Sequence, residues 1–234
     1  MKIRFACLPG YETILPKPTL AAGHLPDWLK RMPATAESAA LAGAEVRTVK
    51  QCPPFVDAMQ AGILFPLATD VTVANGEFSW DWDPPRDPRS RLTRSPLGLH
   101  VPEQATGVPA VPTGQFVLKF TNFWTVDLPE GWSMLFGHPA NRTDLPFRTL
   151  TGIVDCDRFR DGFVHFPALW TDPAFEGVLP AGTPVAQGWP VKRQAIEIET
   201  GAFDAEGFER HLAIEDGLQE ERGFYRRHYR AGGN

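Results

Sequence analysis

Two carboxylates separated by one residue, Asp155-Cys156-Asp157, are the strongest chemical signal in this 234-residue chain. A carboxylate held within hydrogen-bond reach of a water can act as a general base. Asp also caps turns through its own side chain, so the same residues serve as a structural turn. Cys156 is a poor nucleophile, because the negative charge on either side raises a thiol pKa. The histidines form a second group. His100, His138 and His165, with Glu103, have the types for a two- or three-His metal site of cupin kind. The spacing argues against that site, since no H-x-H precedes a Glu, and no metal ligand is assigned. The loop His100-Val101-Pro102-Glu103-Gln104 is a third candidate. Loops on rigid scaffolds carry ligand contacts, which makes His100 and Gln104 candidates to line a pocket with Asp155; the competing role is a hydrogen-bonded loop anchor. Of the aromatics, Trp80 and Trp82 share one strand face and offer rings for stacking or an interface. Burial is the commoner fate of such side chains.

Gly152-Ile153-Val154-Asp155-Cys156-Asp157, followed by Phe159-Arg160 and Gly162, resembles the acidic motif of trimeric dUTP pyrophosphatases, with Arg158 as an extra residue before the aromatic. Leu128-Pro129-Glu130-Gly131-Trp132 resembles the entry to that family's second motif. Leu179 to Gln187, reading LPAGTPVAQ, resembles its later strand. Order and spacing agree over roughly a third of the chain. The resemblance implies a β-clip (dUTPase-like) fold and a homo-oligomer, a trimer. It also implies nucleotide binding with Mg²⁺, Asp155 as the base and Phe159 against the sugar. Asp157, Asn141 and Arg142 are the further candidate ligand contacts. Two departures count against turnover. The phosphate-holding Ser is missing from Gly137-His138-Pro139-Ala140-Asn141-Arg142, and Arg230 to Asn234 is too short to be the closing arm. The Glu that the dCTP-deaminase variant needs is also absent. A second resemblance reaches nearly the whole chain. Lys50 to Met59, Gly131 to Phe136, Gly152 to Asp155 and Pro180 to Gln187 resemble a family of uncharacterised proteins in tailed-phage and bacterial genomes, which brings no activity with it.

These residues need a scaffold. Short apolar runs bounded by Pro and Gly fill the stretch from Leu128 to Arg193, the pattern of antiparallel sheet. Strands are expected at Trp132 to Phe136, Thr149 to Val154, Phe163 to Phe166 (ended by Pro167), Val178-Leu179 and Thr183 to Val191. Asn75-Gly76 predicts a hairpin over Asp70 to Trp82. Lys2 to Leu8, Leu97 to Val101 and Gln115 to Phe120 read as further strands, and Ile196 and Ile198 as a strand extension. Tyr11 to Pro33 reads as a wrapping arm rather than a core element. Thr35 to Ala44, rich in Ala, reads as a short helix or a flexible segment. Asp204 to Arg230 has helical spacing, with acids early and bases late as the helix dipole favours, and Gly217 and Gly223 as break points. The expected organisation is an N-terminal Pro-rich arm (1–48), a β-rich core domain (49–200) and a C-terminal helical tail (201–234).

Composition bounds the rest. A 43% hydrophobic content supports a real core, and the abundance of Pro (23) and Gly (21) suits many short strands and turns. A net charge of -5 disfavours backbone-driven nucleic-acid binding. Three scattered cysteines make neither a disulfide framework nor a zinc ribbon. With no signal peptide and no apolar run of about 18 residues, a cytoplasmic, non-membrane protein is expected. Three functions follow: first, a dUTPase-like protein that binds, or binds and hydrolyses, a nucleotide or related small polar ligand at the acidic turn with Asp155; second, a non-catalytic binding or assembly protein of phage origin; third, a cupin-like metal-dependent oxygenase.

Overall fold

The computed structural model describes residues 1–108, 111 and 116–231. Its strands are β1 (Thr19–Leu20), β2 (Thr35–Ser38), β3 (Ala44–Arg47), β4 (Ile63–Pro66), β5 (Val71–Ala74), β6 (Glu77–Ser79) and β7 (Leu97–His100). They continue as β8 (Val117–Phe120), β9 (Trp132–Gly137), β10 (Phe147–Thr149), β11 (Gly152–Val154), β12 (Phe166–Trp170), β13 (Gly177–Leu179) and β14 (Pro184–Lys192). Among the described residues they are accompanied by the α-helices α1 (Asp27–Arg31), α2 (Pro53–Gln60), α3 (Ala205–Glu220) and α4 (Phe224–His228), and by short 3-10 turns at Ala39–Leu41, Val49–Gln51 and Pro102–Ala105. The protein is mainly β with a C-terminal helix, as its Pro- and Gly-punctuated runs require.

The chain divides into two units. The first comprises Met1–Met32 and Asp57–Arg193, and the second comprises Pro33–Val56 and the residues from Gln194 onward. In the first unit, a five-stranded antiparallel sheet runs in the order β1-β4-β14-β9-β11 and a four-stranded one in the order β10-β12-β8-β7. Phe65 of β4, Phe136 of β9 and Phe166 of β12 meet with ring centroids 5.3–5.4 Å apart, which joins the two sheets through one core. All three are buried, and each contributes roughly 1.5–3 kcal/mol by leaving water. The third sheet, β13-β5-β6, contains the expected hairpin. Asn75 and Gly76 both have positive φ (53° and 76°), the geometry of a two-residue turn whose twist matches its strands.

Several expectations are corrected. The run from Phe163 does not end at Pro167; β12 starts at Phe166, and Phe163 makes only an isolated bridge to Thr125. Proline is tolerated at a strand start, and the Pro167 carbonyl accepts from Leu150 N–H. The hairpin strand β6 stops at Ser79, before Trp80 and Trp82; Trp82 instead packs on Phe123 and donates Nε1–H to the Arg94 carbonyl. Residues 11–33 are not merely an arm, since Tyr11, Leu15, Ala21 and Leu29 are all buried. Lys2 to Leu8 forms only a bridge, Arg4 with Asp127, with Ala6 also accepting from Thr125 N–H.

In the second unit, Thr35 to Ala44 is mostly strand rather than the expected helix or flexible segment: β2 and β3 pair as a hairpin, and the only helical part is one 3-10 turn at Ala39–Leu41 between them. Positive φ at Ala42 and Gly43 turns the chain, and Thr48 Oγ1 closes its base by donating to the Pro33 carbonyl at 2.6 Å. Ile196 and Ile198 lie outside any strand and are more than 80% exposed. The Asp204 carboxylate caps α3 by accepting from Gly207 N–H at 2.7 Å. The helix passes through Gly217, whose missing Cβ leaves room for the Phe224 ring, and breaks before Gly223, which has positive φ. Among the described residues of this unit, no apolar side chain is buried.

Candidate functional site

β9 carries Ser133 on its first turn into the sheet, β11 delivers Asp155 at its end, and β14 delivers Arg193 just past its own end. The registers explain the meeting: β9 lies between the other two, with Met134 opposite both Val154 and Pro190. Arg193 N–H donates to the Gly131 carbonyl at 2.8 Å, which seats the residue over the turn.

Its guanidinium then ties the site together. Nη1 donates to Asp157 Oδ1 at 2.9 Å, to Ser133 Oγ at 3.0 Å and to the Trp132 carbonyl at 3.0 Å. Nη2 reaches Asp157 Oδ2, so that pair is bidentate. Asp157 Oδ2 also accepts from Gly131 N–H at 2.8 Å. Hydrogen bonding from Arg193 holds the Asp157 carboxyl at a pKa of about 2. Asp155 Oδ1 accepts from Ser133 Oγ at 2.6 Å and lies 3.2 Å from Arg193 Nη1. The Asp155 carbonyl accepts from Arg158 and Phe159 N–H, an ordinary tight turn. Burial pushes the intervening Cys156 thiol up to about 11, with Asp155 and Asp157 adding to the effect. Asp157 is therefore a buried anchor, whereas Asp155 has its Oδ1 engaged by Ser133 and Arg193 and its side chain about half exposed. Phe159, half exposed, lies over Gly162, where a Cβ would come within 2.1 Å of the ring.

The other candidates fall elsewhere. Arg142 and Asn141 follow the far end of β9; Ser133 and Gly137 are about 13 Å apart at ~3.3 Å per strand residue. Asn141 has positive φ (57°) in that turn. Arg142 donates from Nε and Nη2 to both oxygens of Asp144 (2.8 and 2.9 Å), and Trp28 Nε1–H donates to Asp144 at 3.2 Å. Burial opposes charge on Asp144, but the Arg142 and Trp28 bonds hold its carboxyl below the usual range. Arg142, Asp144 and Trp28 line a cleft of about 670 Å³ with Lys17, His24, Lys30 and Arg31, floored by Leu64 and Pro66 of β4. Sequence reasoning missed Arg193 and most of this cleft. The only sequence signal was the density of Lys, Arg, His and Trp between residues 17 and 31.

His100 ends β7, an outer strand of the four-stranded sheet, and Gln104 Oε1 accepts from Val101 N–H at 3.1 Å within its own loop. No hydrogen bond or ion pair joins either residue to the acidic turn among the described residues. His138 uses both ring nitrogens on backbone: Nε2–H donates to the Arg142 carbonyl (2.8 Å) and Nδ1 accepts from Thr149 N–H (3.2 Å). Burial lowers its pKa, so the neutral ring is favoured. His165 Nδ1 accepts from Asn122 N–H. Among the described residues, no group of three or more His, Cys, Asp or Glu is placed to hold a metal ion, and no helix is long and apolar enough to cross a membrane. The chain matches no protein-family model and no curated protein.

Proposed function

We propose that the protein is a non-catalytic binding and assembly protein on a β-clip-like scaffold, working as a homo-oligomer through its C-terminal tail. The observation that carries this reading is the second unit, which among its described residues buries no apolar side chain yet exposes Ile196, Ile198, Phe203, Phe208, Leu218, Tyr225 and Tyr229. A segment of this kind is stabilised when another surface removes those groups from water. Its charge is graded along the chain: α3 bears Glu206, Glu209, Glu215, Asp216 and Glu220 against Arg210, which pairs with Glu206, and the chain after it bears Arg222, Arg226, Arg227 and Arg230 against Glu221, which pairs with Arg227. An antiparallel pair of tails sets acids against bases. The test is light scattering of the full chain after size exclusion, for the wild type and for Phe208→Asp with Leu218→Asp. A wild-type oligomer that becomes monomeric in the double variant supports the proposal. A wild-type monomer at tens of micromolar refutes it.

A second reading, nucleotide hydrolysis at the acidic turn with Mg²⁺, is favoured by one observation: the Asp155 side chain is about half exposed in the same turn that presents the exposed Phe159. Pyrophosphate release from deoxynucleoside triphosphates, lost in Asp155→Asn, would establish it. Against it, Arg193 and Ser133 occupy the oxygen nearest them. The cupin-like reading has least support, since His138 spends both nitrogens on backbone.

A further inference from the structure

We propose that the cleft beside α1 and β4 binds an organic phosphate, a small molecule joining a flat ring to a phosphate group. The site lies wholly within the first unit, away from the acidic turn and independent of tail assembly. Charge is the first argument. Lys17, Lys30, Arg31 and Arg142 line the cleft against two carboxylates, Asp27 and Asp144, which leaves a surplus of two positive charges in a chain whose net charge is -5. That surplus matches a phosphate monoester, which carries a charge of about -1.5 to -2 near neutral pH, better than a single carboxylate.

The pairing pattern shows which cations are left for a ligand. Lys30 Nζ lies 3.1 Å from Asp27 Oδ1, and Arg142 is bound bidentately by Asp144. Lys17 and Arg31 have no carboxylate partner among the described residues, so their charge is uncompensated. The flat group follows from Trp28. Its only donor, Nε1–H, is already given to Asp144, so what it offers a ligand is the apolar face of the indole. The Asp144 carboxylate thus fixes both the ring and Arg142 in place before any ligand arrives, which lowers the ordering cost of binding. His24 Nδ1–H donates to the Leu20 carbonyl at 2.9 Å, which holds that ring too. The volume, about 670 Å³, lies within the range of small-molecule sites.

The test is isothermal titration of the full chain at low ionic strength with three probes: phenyl phosphate, inorganic phosphate and benzoate. Phenyl phosphate should bind most tightly and benzoate least. Lys17→Glu with Arg31→Glu should weaken phenyl phosphate by about tenfold or more, the scale of losing charged hydrogen bonds. Arg47→Glu, an exposed charge reversal in the second unit, should leave it unchanged. Trp28→Ala should abolish the preference for phenyl phosphate over phosphate. If that variant fails to fold, Trp28→Tyr should retain the preference. The proposal is overturned if the wild type shows no saturable binding of phenyl phosphate at millimolar concentration. It is equally overturned if benzoate binds as tightly, or if the double reversal matches Arg47→Glu. Scattering on the same samples reads assembly separately, so the two proposals fail independently.

Discussion

Gln187 offers the most exacting test of how the cleft is held, through the variant Gln187→Glu. Gln187 is 1% exposed at the centre of β14. Its Oε1 accepts from Ala140 N–H at 2.8 Å, in the loop that leads to Arg142. Its Nε2 donates to the carbonyls of Ala58 and Ala61, at 3.0 and 2.5 Å, where α2 ends. One amide therefore pins a helix end and the cleft loop to the sheet. Glutamate keeps the shape and the bond to Ala140, but turns an oxygen towards two carbonyl oxygens. The acid escapes by staying protonated, when it can still donate to one carbonyl; the cost is then one lost bond, about 1 kcal/mol. Staying protonated at pH 7 against an unfolded pKa of about 4.3 costs up to a further ~3.7 kcal/mol, at 1.36 kcal/mol per unit. The sign follows from proton counting. The native acid binds its proton more tightly than the unfolded chain does, so between the unfolded and folded pKa values stability falls as pH rises. The variant should therefore be about 1 kcal/mol less stable than wild type near pH 4, and as much as about 5 kcal/mol less stable at pH 7. Urea denaturation of both proteins from pH 4 to 8 measures this. A difference that is absent, or flat across that range, would refute the assigned role of Gln187.

Three further outcomes follow from the structure. Asp157, held at about 2 by Arg193, contributes stability that is complete above its unfolded value of about 3.9 and lost as pH falls through about 2; Arg193→Gln should show a shallower acid limb in the urea midpoint, with its deficit against wild type largest above about pH 4. Gly62 has φ +74° and a Cβ there would meet the Gly188 carbonyl oxygen at 2.2 Å, so Gly62→Ala should lower stability by about 2–4 kcal/mol in the same assay. Of the three thiols, exposed Cys52 should alkylate first, and Cys156, buried and raised to about 11, should react only on unfolding, as mass spectrometry of pulse-labelled protein would read.

The features legible in the sequence were those with local causes. Asn75-Gly76 specified its turn because both residues tolerate positive φ, and helical spacing with acids early and bases late announced the C-terminal helix. The acidic turn was legible as a turn, but its neutralisation was not. Arg193 sits 36 residues away from Asp157, and only the placement of β9 between β11 and β14 brings them together. The hairpin at residues 35–47 was obscured by alanines, whose helix propensity is a weak prior that strand pairing overrides; the Gly43 that turns it was the local clue. The cleft was hidden because Tyr11 to Pro33 looked like loose chain, when Tyr11, Leu15, Ala21 and Leu29 anchor it in the core.

The exposed stretch Ile196-Glu197-Ile198-Glu199 has a consequence for how the protein survives in solution. Alternating apolar and acidic residues that have no strand partner among the described residues form a template that another extended chain can join. In stacked copies the two glutamates of each chain would repel, so they act as gatekeepers against fibril growth. Replacing both glutamates with glutamine removes that protection, so Glu197→Gln with Glu199→Gln should form fibrils, read by thioflavin fluorescence, where the wild type stays dispersed.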